Sequence, residues 1–150
     1  MSDRIEQELA AGRAVLVNTQ GISMRPLLWA GKTQVLVSPL EGPLEIGDLP
    51  LAVVQPGRYR LHRLVEVRDG IYITLGDNTA CPERVAPDRI IGRVTEIYRG
   101  SRRIPMDGLS YRAYRRFWLW STPARLPVYR LRDRLHRVLS RLVRRLKAHG

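Results

Sequence analysis

The chain has 150 residues, with 26 Lys and Arg against 14 Asp and Glu, three histidines and a single cysteine. That length suits one ordinary domain with a sizeable core plus an appendage. One cysteine excludes an internal disulfide framework, and the scattered histidines form no zinc-ligand spacing, so neither a metal nor a cofactor is expected.

The formal net charge of +12 is unevenly spread. Residues 1–98 hold 11 basic and 12 acidic side chains, a net of −1, whereas residues 99–150 hold 15 and 2, a net of +13. All the excess lies in the tail. The composition therefore separates a charge-balanced domain at 1–99 from an arginine-rich segment at 100–150.

In chain order, a short helix comes first: Asp3 is positioned to cap Arg4 to Ala11, Ile5 and Leu9 share a face, and Gly12 stops it. Ile5-Glu6-Gln7-Glu8 carries acids where a secretory leader would be apolar, so a cytoplasmic protein is expected. Strands follow at Ala14 to Asn18 and Thr33 to Val37, and Leu51 to Val54 is a continuous apolar run suited to burial on both faces. Tyr59 to Val67 alternates, with Tyr59, Leu61, Arg63, Val65 and Val67 on one side, and Asp69-Gly70 turns it into Ile71 to Leu75. A last strand is expected at Ile90 to Tyr98, after a loop punctuated by Pro82 and Pro87.

Three residue types with a chemical relationship sit at turns or strand ends in this β region. Ser23 lies in Gly21-Ile22-Ser23-Met24-Arg25-Pro26, His62 in Leu61-His62-Arg63, and Asp77 in Gly76-Asp77-Asn78. A serine hydroxyl attacks a carbonyl usefully only when a neighbouring base takes its proton. Histidine suits that role near neutral pH, and a carboxylate on the other ring nitrogen fixes the tautomer. Taken singly, each has a plainer reading as a turn serine, a strand-end histidine and a turn aspartate.

Together the segments resemble the superfamily of signal peptidases and LexA-type self-cleaving repressors. Gly21 to Pro26 matches the family's Gly-x-Ser-Met-x-Pro at every fixed position. Leu61 to Val67 looks like the second box of the archaeal and endoplasmic-reticulum signal peptidases, in which histidine replaces a lysine base. Thr74 to Asn78 looks like the third box, and Ile90-Ile91-Gly92-Arg93-Val94 like the closing strand, so the resemblance spans roughly Ala11 to Arg99. It implies a coiled mixed sheet, with Ser23 as nucleophile, His62 as general base and Asp77 as orienting acid. Glu83 stands where the family often has a second acid, usually aspartate. Leu75 replaces a common lysine, and Lys32 a common aspartate. The oxyanion donors would be backbone N–H groups around Ser23, with Gly21 permitting close approach. A serine–lysine dyad is disfavoured, because the chain's lysines are Lys32 and Lys147, neither in the second box. His136 and His149 fall in the tail, as solvent-facing helix positions.

Within the tail, Tyr111 to Trp120 is aromatic and basic, Pro123 and Pro127 interrupt it, and a second helix is expected over Val128 to Lys147. There Leu131, Leu135, Val138, Leu139, Leu142, Val143 and Leu146 form an apolar stripe. The favoured partner for Tyr111 to Lys147 is an anionic membrane surface, with peripheral attachment to the inner membrane face. The plainer alternative docks the stripe on the domain or on a partner helix. Nucleic acid ranks last, since no base-reading motif is present. No apolar run approaches the roughly 20 residues of a transmembrane helix.

The expected function is a serine endopeptidase acting on a peptide or precursor protein. From another class, the alternative is a catalytically silent peptide-binding or regulatory module of the same fold, tethered by its basic tail.

Overall fold

A computed structural model describes the backbone of residues 2–148 and the side chains of residues 4–144. The proposed cap side chain of Asp3, together with Leu146, Lys147 and His149, lies outside the described side chains. The chain forms a curled antiparallel sheet, a half-barrel, with a short helix at its start and a long one at its end. This is the mainly β class expected from the sequence.

Helix α1 covers Ser2–Ala10, and Gly12, at φ 78°, ends it in the left-handed conformation. Strands β1 (Val15–Asn18), β2 (Thr33–Ser38), β3 (Pro50–Gln55), β4 (Arg58–Leu61), β8 (Ile90–Arg99) and β9 (Arg102–Pro105) make the larger sheet. Its order is β1-β2-β8-β3-β4, with β9 also on β8. Strands β5 (Arg63–Arg68), β6 (Ile71–Leu75) and β7 (Glu83–Val85) make the smaller one. Every described pairing is antiparallel, which corrects the expected mixed sheet.

Alternation along β2 buries Thr33, Val35 and Val37, and the two valines join Leu49, Leu51, Val94 and Ile97 in the main core. Leu9 of α1 seals one side of it. Each such side chain contributes about 1.5–3 kcal/mol through burial. In β3 the burial is confined to the first half, since Val54 and Gln55 are exposed. A second cluster of Leu44, Ala52, Leu64 and Ile90 fills the junction between the two sheets.

The single strand expected over Tyr59 to Val67 is two strands in different sheets, and the break is at His62. Leu51 faces Leu61 in the large sheet, whereas Arg63 faces Leu75 in the small one. The alternation fails there too, because His62, Arg63 and Leu64 are buried in succession. A chain passing from one sheet to another is enclosed on both faces at the crossing. The Asp69-Gly70 turn forms as expected, with φ of 51° and 74°, the positive values of a tight two-residue hairpin.

Helix α2 runs unbroken over Leu109–Ala148, through both prolines. This corrects the expected interruption. In the turn before Pro123, Ser121 Oγ, Thr122 Oγ1 and Arg125 Nη2 all donate to the Trp118 carbonyl, at 3.1, 2.9 and 2.7 Å. The carbonyl that Pro123 deprives of an N–H donor is that of Leu119, next to Trp118, so these bonds reinforce the adjoining turn. The boundary at residue 99 also shifts. β9 extends the large sheet, and Tyr111 belongs to the main core, with Ile104, Met106 and Tyr114 packed against it.

Candidate active site

Ser23 is carried on a loop whose apolar residues act as anchors. Met24, Leu27 and Leu28 are all buried in the main core, and the Leu28 N–H donates to the Met24 carbonyl at 2.9 Å. With those side chains turned inward, Ser23 is left partly exposed at the loop's rim. Gly21 has φ 75°, and a side chain there would meet open space, so glycine is needed for its backbone angle and not for the close approach expected of it.

The close approach occurs at Gly76 instead. A Cβ on Gly76 would lie 2.7 Å from the Ser23 carbonyl oxygen, a distance that backbone cannot yield cheaply. The same oxygen accepts the Asn78 N–H at 2.7 Å, and Asn78 Nδ2 donates to the Ile22 carbonyl at 3.2 Å. Glycine and asparagine thus lock the Gly-Asp-Asn loop onto the serine loop. His62 immediately precedes β5 and Gly76 immediately follows β6, at the end of the pair where Arg63 faces Leu75. The Ser23 loop and His62 are therefore brought to the same end of the β5–β6 pair. Among the described residues, no hydrogen bond joins Ser23 Oγ to His62.

His62 is buried, and its Nδ1 lies 3.4 Å from Glu83 Oε2 on β7, at the limit of contact and without hydrogen-bond geometry. Burial pushes the imidazole below its ordinary pKa; Glu83 opposes that shift, Arg60 adds to it, and Asp77 opposes it more weakly. The ring is therefore held neutral near pH 7, the form in which it can accept a proton. Arg60 Nη1 donates to Glu83 Oε1 at 2.6 Å, which holds the carboxylate on the Nδ1 side of the ring. His62 and Glu83 open onto a groove of about 560 Å³ bounded by Ala52, Val53, Thr74 and Val85.

Among the described residues, Asp77 makes no hydrogen bond with His62. Its carboxylate accepts Arg63 Nε at 2.8 Å and Nη2 at 2.7 Å, a bidentate ion pair between two almost wholly buried side chains, and Tyr114 OH adds a third bond at 3.1 Å. Arg63 Nη1 donates to the Gly47 carbonyl and to Tyr111 OH, at 3.0 and 2.9 Å. The reason is geometric, since a planar guanidinium presents a fork that fits two carboxylate oxygens and an imidazole offers one donor. The nearest carboxylate to His62 Nδ1 is Glu83, expected only as a secondary acid.

Helix α2 closes the back of this loop. Arg125 Nη1 donates to the Asp77 carbonyl at 3.1 Å, and Arg132 donates to Asn78 Oδ1 and to its carbonyl at 2.7 and 3.0 Å. The supporting set of Arg63, Tyr111, Tyr114, Arg125 and Arg132 was not among the residues singled out from the sequence. One signal was available. Arg63 falls on the apolar side of the alternating segment with Tyr59, Leu61 and Val65, and an arginine there requires a buried acid. Lys32 is exposed and lines a separate shallow cleft with Trp29, Thr33 and Arg99. Cys81 is a free, exposed thiol. Among the described residues, no cluster of metal-ligating side chains occurs.

Comparison with protein-family models, with curated proteins and with solved structures returns no match to this chain.

Proposed function

We propose that the chain is a serine endopeptidase, with Ser23 as nucleophile, His62 as general base and Glu83, in place of Asp77, as the group that orients the ring. One observation carries this reading: a buried, neutral imidazole with a carboxylate 3.4 Å from its Nδ1 immediately precedes β5, and the Ser23 loop is locked onto the loop that follows β6, the strand paired with β5. In the proposed reaction Ser23 Oγ attacks the scissile carbonyl carbon while His62 takes the hydroxyl proton. Backbone N–H groups about Ser23 receive the oxyanion, and among the described residues no protein acceptor occupies the Ser23 N–H. The imidazolium then protonates the leaving amine. A water attacks the acyl-enzyme, giving its proton to His62, and the carboxylate product leaves as Ser23 regains its hydrogen.

The substrate would be an extended peptide or precursor protein on the cytoplasmic side. β1 is an edge of the large sheet, and its chain leads through Asn18 and Thr19 to the Ser23 loop. A peptide added along that edge would gain main-chain hydrogen bonds and bring one carbonyl to Ser23.

Fluorophosphonate labelling and turnover of peptides with small residues before the cut test the reading. The parent chain should label and Ser23→Ala should not, while His62→Ala should lose about 10²–10⁴-fold in turnover. Absence of any Ser23-dependent reaction, with peptide binding retained in Ser23→Ala, would establish the catalytically silent module instead.

A further inference from the structure

Helix α2 has two surfaces that the fold does not use. Phe117, Trp120, Leu131, Leu135, Leu139 and Leu142 are all exposed, Trp120 by 78%. At 3.6 residues per turn they share one face roughly 100° wide and about 38 Å long. Along one border of that face run Arg116, Arg134 and Arg141, all exposed. Asp133 is the helix's single acid. The other border holds Arg125 and Arg132, which are committed to Asp77 and Asn78.

We propose that this face docks on an anionic lipid surface. Its apolar side chains would enter the boundary between headgroups and acyl chains, with Arg116, Arg134 and Arg141 reaching lipid phosphates at the border. Charge selects this occupant. A second copy placed face to face would bring two rows of arginine together without compensating acids. Nucleic acid would satisfy the arginines and leave a row of leucines in water. An anionic bilayer satisfies both at once, and the phenylalanine–tryptophan pair, with ring centroids 6.2 Å apart, suits the interface. Through Arg125 and Arg132 the docked helix would hold the Gly-Asp-Asn loop, and with it the Ser23 loop bonded to Asn78, beside the lipid.

Flotation of the full chain with neutral phosphatidylcholine vesicles and with vesicles containing phosphatidylglycerol tests this proposal. Binding is expected to the anionic vesicles, weakening as salt is raised. Leu135→Glu with Leu139→Glu should reduce it at least tenfold while leaving circular dichroism and the urea midpoint unchanged. Arg134→Gln with Arg141→Gln should cost about fivefold per arginine. Equal or absent binding to both vesicle types would overturn the proposal, as would parent-like flotation of the double glutamate variant. Two further results would overturn it: a lipid-free dimer dissociated by Leu135→Glu with Leu139→Glu, or binding to duplex DNA that exceeds vesicle binding at the same salt. Ser23→Ala must float like the parent, so a failure of the peptidase reading is distinguishable from a failure here.

Discussion

His62 shows how one residue can be legible in type and illegible in setting. An imidazole between Leu61 and Arg63 suggests a base, but its usefulness depends on burial that arises only because the chain changes sheets at that point. Burial keeps the folded-state pKa below the ordinary value of about 6.5. As pH falls through that value the unfolded chain takes up a proton that the folded one refuses, so stability declines with acidification until the folded pKa is reached. The acid limb of kcat/KM is accordingly expected below pH 6.5, and His62→Gln should flatten the matching limb of a urea-midpoint profile. A limb centred above pH 6.5 would contradict a desolvated base. Gly76 is a second case. Its place in a turn motif is plain from the sequence, whereas its contact with the Ser23 carbonyl is a matter of two loops meeting.

At the scale of elements, the acid assigned to His62 changes because strands bring partners that sequence distance hides. Asp77 and Arg63 are 14 residues apart and meet through the β5–β6 pairing, whereas Glu83 reaches His62 from β7, a three-residue strand not foreseen in the loop after Pro82. The two carboxylates should therefore fail differently. Asp77→Ala leaves a buried guanidinium without its counter-charge and is expected to cost about 3–5 kcal/mol of stability. Glu83→Gln, on a partly exposed strand, should leave the urea midpoint within about 0.5 kcal/mol and lower kcat/KM. Equal loss of stability in both variants would refute the division of roles. In α2, prolines that signal a break in isolation lie within a continuous helix, and Ser121, Thr122 and Arg125 add bonds to the Trp118 carbonyl in the turn before Pro123. Proline's cost is local, the loss of one backbone bond, and the helix continues on either side.

For the whole molecule, the division into domain and tail suggested by charge does not coincide with the division made by packing. Tyr111 is buried and bonded to Arg63, so the first turns of α2 belong to the domain although their composition belongs to the tail. A chain ending at Gly108 should lose about 3–5 kcal/mol, comparable to deleting a buried aromatic side chain. One ending at Leu126 keeps Tyr111, Tyr114 and Arg125 and should stay within about 1 kcal/mol of the full chain by urea denaturation. Equal stability of the two truncations would show that the helix does not brace the loop. The described helices contain none long and apolar enough to cross a membrane. Local pattern in the sequence determined most strands, the two helical ends, the Ser23 and His62 candidates and the amphipathic character of the tail, because periodicity and turn chemistry act over a few residues. Only the tertiary structure decided which carboxylate faces His62, where the long strand divides, and which part of α2 is domain. Those outcomes depend on burial and on partners many residues away, whose energies have no local signature.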